Sequence, residues 1–168
     1  MSAGKIADRP DVRRRIQRSV DDLDETIRQI RSTIFALQVE PDAGSLRSRL
    51  HSVVDDFTGP LGFAPSVRFD GLLDTDVDPQ IGEQLVAVVS EALSNAARHA
   101  GASRVEVVLD VRDDLVLRVE DDGRGIPPGG RRSGLKNMAE RAESLGGFME
   151  LADREGGGTR LLWRVPLR

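Results

Sequence analysis

Glu91, Asn95, Arg98 and His99 recur through the largely apolar stretch E-A-L-S-N-A-A-R-H-A. At the α-helical period, spacings of four, seven and eight put them on one face. A carboxylate, an amide, a guanidinium and an imidazole are costly to bury without ligands, so the stripe reads as a polar edge facing a cleft. A second cluster, Val119 to Pro127, ends a strand in Glu120, Asp121 and Asp122 and then sets Gly123 and Gly125 one residue apart. Glycine there lets backbone approach a ligand closely or adopt positive φ. The third cluster, Ser133, Gly134, Leu135, Lys136, Asn137 and Met138, opens a helix, where free N–H groups and the helix dipole favour an anion such as phosphate. The fourth is Gly156, Gly157, Gly158 and Thr159.

Each of the last three is ordinary alone: a turn after a strand, a helix start capped by Ser133, a glycine loop between strands. Their order and their placement on elements carry the information.

Those elements follow from periodicity. Asp78 caps and Pro79 opens a helix that runs apolar through Leu85, Val86, Val88, Val89, Ala92 and Leu93 and ends near Gly101, carrying the first cluster. Before it, Ser45 to about Thr58 is a helix with Leu46, Leu50, Val53, Val54 and Phe57 on one face, closed by Gly59 and Pro60, and Val67 to Phe69 is a short strand. Arg104 to Val111 and Leu115 to Val119 form a hairpin turning at Asp113 and Asp114. A helix from about Gly134 to Leu145 carries the third cluster, and strands Phe148 to Ala152 and Arg160 to Val165 flank the fourth. The expected fold is α/β, a two-layer sandwich of a mostly antiparallel sheet against helices.

Ahead of this region, Val12, Ile16, Val20, Leu23, Ile27, Ile30, Ile34 and Leu37 recur in steps of three and four, a narrow seam on a long amphipathic helix that needs a partner helix. Pro41, Asp42, Ala43 and Gly44 break it. The expected division is a helical region over 1–40 and a globular domain over 43–168.

Composition narrows the function classes. The 168 residues are 39% hydrophobic and 31% charged, as in folded domains. With 28 acidic against 24 basic residues the net charge of -4 gives no surplus for a nucleic-acid backbone. The absence of cysteine excludes disulfides and thiolate metal sites. No signal peptide or long apolar run is present, so the expectation is a soluble, cytoplasmic chain without a membrane span.

Taken together, E-x-x-x-N-x-x-R-H-A, D-x-G-x-G, S-G-L-x-x-M and G-x-G-T resemble the asparagine box, the glycine boxes and the short lid of the GHKL ATPase superfamily. Within it they resemble sensor histidine kinases of the nitrate-sensor type, over about Ser45 to Arg168. The preceding segment, Leu23 to Gln38, resembles the second dimerisation helix of those kinases. Its D-E-T-I-R-Q-I-R-S-T-I-F wording is similar to actinobacterial sensors with GAF domains, some haem-based.

The resemblance implies a role for each residue. Asn95 would coordinate Mg²⁺ through its amide oxygen, Glu91 would act on the incoming nucleophile or its water, and Arg98 would face the phosphates of ATP. His99 is either a donor to those phosphates or a histidine satisfied within the fold. Asp121 would accept from the exocyclic amine of adenine, Thr159 would support that contact, and Gly123 and Gly125 would give the lid room. Asp122 stands where asparagine is often found. Gly134 and Leu135 would lie at the phosphate side, and Ile126 to Ser133 would be a short lid.

The implied reaction is transfer of the γ-phosphoryl of Mg-ATP to a histidine, in a homodimer joined through dimerisation helices and serving a response regulator. Of the two histidines, His99 belongs to the first cluster and His51 lacks the acidic-leucine-histidine-aspartate context of an acceptor. The expectation is therefore a fragment without its acceptor helix, unable to phosphorylate itself. Two other readings are a nucleotide-binding regulatory module without turnover and an anti-sigma-factor-like serine kinase. The helix over Val12 to Leu37 argues against the second.

Overall fold

The computed structural model describes residues 44–125 and 133–167. The expected helix over Val12 to Leu37 and the lid stretch from Ile126 to Arg132 lie outside the described residues.

Helix α1, Leu46–Asp56, starts where Ser45 Oγ accepts the Ser48 N–H at 3.3 Å, and it turns Leu50, Val53 and Val54 into the core. Gly59 and Pro60 do not close the helical path as expected. They lie inside a second, short helix, α2, Thr58–Leu61, which ends at Gly62 with φ +80°. Pro60 fits because the first turn needs no N–H donor.

Strand β1, Ser66–Asp70, leads into a one-turn helix α3, Leu73–Asp76, that buries Leu73. The sequence gives this turn no periodicity to betray it. Helix α4, Pro79–Asn95, opens as expected, with Asp78 Oδ1 accepting the Gln80 N–H at 2.8 Å and Pro79 in the first turn. A guanidinium fork from Arg49 to Glu83, at 2.7 and 3.0 Å, ties α1 to α4.

The helical path continues past Asn95, but the last turn, Ala96–Ala100, is π-helical and stops at Gly101 with φ +57°. There i→i+5 bonds replace i→i+4, so residues beyond Asn95 lag behind the angle assumed for an unbroken α-helical stripe.

The sheet has five strands in the order β1-β2-β3-β5-β4, with β2 Val105–Val111, β3 Asp114–Asp121, β4 Phe148–Asp153 and β5 Thr159–Pro166. Only β1 and β2 pair in parallel; the other pairs are antiparallel. Alternation along the strands sends Val105, Val107, Leu109, Leu115, Leu117, Val119, Leu161, Trp163 and Val165 into the core. Their neighbours Arg118, Arg160 and Arg164 are exposed. Helix α5, Ser133–Ser144, inserts Met138 and Ala142 against this core, and the Trp163 indole N–H donates to the Met138 carbonyl at 3.1 Å. The result is the expected two-layer α/β sandwich.

Candidate functional site

The inward alternation of β3 runs Leu115, Leu117, Val119 and then Asp121, so the strand's last inward position holds a carboxylate instead of an aliphatic group. Asp121 is 8% exposed, the one buried charged residue among those described. Its Oδ1 accepts the Gly123 N–H at 2.9 Å, which leaves the carboxylate further acceptor capacity. Burying a charge with so little compensation is costly in the absence of a ligand donor.

Glycines bring neighbouring segments into close contact with the end of β3 and with α4. A β-carbon on Gly123 would sit 2.3 Å from the Ala100 carbonyl oxygen, so the D-x-G-x-G loop lies directly against the end of the π turn. Arg124 fastens that contact, its N–H donating to the Ala100 carbonyl at 2.9 Å and its Nε to the His99 carbonyl at 2.7 Å. On the other side Gly158, φ +95°, approaches so closely that a β-carbon would fall 1.9 Å from the Asp121 carbonyl oxygen. Thr159, half-buried, begins β5; the β3–β5 register, which ends with Glu120 opposite Arg160, places it across from Asp121 when carried one step further.

The third cluster arrives from α5. Its Gly134 is buried, and a β-carbon there would lie 1.9 Å from Glu91 Oε1, so the helix start rests on the Glu91 carboxylate. Leu135 is half-buried and packs against the core. One turn beyond Glu91, Asn95 Nδ2 is buried without a hydrogen-bond partner. Turning that amide over presents Oδ1 at the same position, an acceptor suited to a hard cation. No group of three or more His, Cys, Asp or Glu among the described residues could hold a metal.

Arg98 and His99 lie on the π turn and are exposed. The four clusters thus lie in mutual contact, but the stripe of the first is split between α4 and the π turn.

Asp122 does different work. Its carboxylate accepts Ser103 N–H at 2.8 Å, Ser103 Oγ–H at 2.6 Å and Arg104 N–H at 2.8 Å, binding the end of β3 to the start of β2. The Ser103 hydroxyl first, then the Arg104 N–H, hold its pKa at about 2. An asparagine would set an NH₂ against one of these donors. His51 stands on α1, its Nδ1 3.0 Å from the Arg47 carbonyl and its ring edge-on to Phe69.

Sequence reasoning passed over Arg124 and Arg154. The motif pattern treated Arg124 as a filler between glycines. Arg154 precedes the glycine run, and its contacts depend on strand register, which no local spacing encodes.

A family model described as histidine kinase-, DNA gyrase B- and HSP90-like ATPase matches residues 80–168. The chain is 31% identical to the sensor histidine kinase LiaS of Bacillus subtilis over 85% of its own length and 40% of that protein. It is also 31% identical to the nitrate/nitrite sensor protein NarX of Escherichia coli, over 84% of its own length and 24% of NarX. It thus spans well under half of these relatives. The histidine kinase domain from the Erythrobacter litoralis blue-light activated histidine kinase shares the fold, with a TM-score of 0.60 at 27% identity, covering 73% of this chain and 61% of that one.

Proposed function

Because the chain belongs to the histidine kinase-, DNA gyrase B- and HSP90-like ATPases and carries their ATP-binding domain, we propose that it binds Mg-ATP and directs the γ-phosphoryl group to a histidine of a two-component sensor kinase. The observation that carries this reading is Asp121, a buried carboxylate with acceptor capacity to spare at the core-facing end of β3.

In this reading Asp121 accepts the exocyclic amine of adenine, and Thr159 supports the base from the facing strand. Asn95 offers its amide oxygen to Mg²⁺, which when bound neutralises phosphate charge and helps align the γ-phosphoryl. Arg98 and His99, at the solvent side of the π turn, reach the phosphates. Gly134 and Leu135 bring the start of α5 up to them, and Gly123 and Gly125 leave the backbone room to close. Glu91 acts on the incoming nucleophile or its water. Positioning and charge neutralisation supply most of the catalysis.

Residues 43–168 are the ATP-binding domain of this scheme and residues 1–40 a dimerisation segment. The protein then works in the cytoplasm as a homodimer beside a response regulator. Neither His51 nor His99 has an acceptor's sequence context, so the accepting histidine lies on another segment.

The test is binding of a non-hydrolysable ATP analogue, with and without Mg²⁺, to the wild-type chain, Asp121→Asn and Asn95→Asp. Asp121→Asn weakens binding under both conditions; Asn95→Asp changes the Mg²⁺ dependence. If neither substitution alters binding, the site is misassigned. Labelled ATP with a separate helical segment bearing an acceptor histidine then tests transfer. Binding without transfer would favour a regulatory module that does not turn over.

A further inference from the structure

We infer that Arg154, at the start of the β4–β5 turn, is a positioning residue for adenine selection that acts through the backbone of Asp121. The inference rests on the reading of Asp121 as the adenine-contacting carboxylate.

Asp121 pairs with Val105 of β2, but the β3–β5 register ends at Glu120 opposite Arg160, so on that side the Asp121 carbonyl meets the β4–β5 turn instead of a paired strand residue. A buried carbonyl must find a donor elsewhere. Arg154 supplies it: Nη1 donates to the Asp121 carbonyl at 2.9 Å while Nε lies 3.2 Å from Glu120 Oε2. The Arg154 and Glu120 side chains are only 22% and 17% exposed, so neither contact is a loose surface pair. Two donors on one rigid fork fix both the carbonyl and the preceding side chain in a set geometry, which a lysine ammonium, with its donors on one freely rotating nitrogen, holds less firmly.

The same residue shapes the turn. Its N–H donates to the Gly158 carbonyl at 3.0 Å and its carbonyl accepts from Gly157 at 3.1 Å. That closed turn holds Gly158 against the Asp121 carbonyl. The position of the Asp121 backbone, and with it the direction of its carboxylate, is therefore set from two sides by one short turn. Without the guanidinium, the strand end can shift while the core residues behind it stay packed.

The experiment measures Kd for ATP and for ITP, which carries a carbonyl in place of the exocyclic amine, on the wild-type chain, Arg154→Gln, Arg154→Lys and Asp121→Asn. Arg154→Gln is expected to narrow the preference for ATP over ITP by roughly tenfold, with Arg154→Lys between it and wild type. A purely structural role would weaken both nucleotides equally. That result, or no change in Arg154→Gln, overturns the inference if Asp121→Asn does narrow the preference. If Asp121→Asn leaves the preference intact, the reading of the site itself fails. Should Arg154→Gln not fold, as judged by circular dichroism, Arg154→Lys carries the same outcomes at smaller amplitude.

Discussion

Gly134 and Glu91 touch so closely that a single methyl group on the glycine would lie 1.9 Å from the carboxylate oxygen. Two motifs separated along the chain are thus in van der Waals contact at the point where the proposed phosphoryl transfer takes place.

Gly134→Ala should therefore damage function more than folding. The displaced atom is the far end of a flexible side chain, so the cost in stability is about 1 kcal/mol. Phosphoryl transfer, where an ångström matters, falls by roughly a hundredfold. A double-mutant cycle with Glu91→Ala, followed by thermal melting, checks the contact: in that background the alanine should cost almost nothing.

Two glycines in one turn should behave differently. At Gly158 an added methyl meets the Asp121 backbone oxygen, and φ is +95°. Gly158→Ala is expected to destabilise by about 3 kcal/mol or more. Gly156 has φ +88° with nothing near its missing methyl, so Gly156→Ala costs only the left-handed backbone penalty, about 1 kcal/mol. Chemical denaturation of the two variants separates collision from conformation.

Asp122 should give the fold an acid-sensitive seam. Its pKa falls from 3.8 to about 2 on folding, chiefly through the Ser103 hydroxyl and the Arg104 N–H. A depressed carboxylate stabilises fully above its unfolded pKa and loses that contribution as pH drops through its folded one. The loss is expected between about pH 4 and pH 2. Asp122→Asn should be less stable than wild type at neutral pH, and the gap should shrink across that interval in acid titrations followed by circular dichroism.

Asn95 holds a buried amide nitrogen that the fold leaves unpaired, so the proposed ligand role and stability should pull in opposite directions. With Nδ2 buried and unpartnered, Asn95→Leu should raise stability by about 1 kcal/mol while removing Mg²⁺-dependent nucleotide binding. Calorimetric melting and nucleotide titration on the same variant would reveal the opposition. A variant that melts lower would argue against it.

Much of the site was legible because local rules governed it. Asp78 and Pro79 announce the start of α4, and the alternation Leu115, Leu117, Val119 extends without a break to point Asp121 inward. The π turn was not legible: A-A-R-H-A contains nothing that prefers an i→i+5 bond, and the close packing of Gly123 on Ala100 comes from a distant loop. Gly59 and Pro60 misled in the other direction, because stop signals can also lie within the first turn of a new helix. Arg154 and Arg124 act on carbonyls brought to them by tertiary packing, and no spacing in the sequence foretells such partners.

Trp163 is the only tryptophan in the chain, wholly enclosed, with its indole N–H tied to a carbonyl of α5. Intrinsic fluorescence therefore has a single source, shielded from water and wired to the same helix whose first turn rests on Glu91. Any rocking of that helix on nucleotide binding would change the emission of one chromophore, so the protein can be followed in real time without a dye or a label.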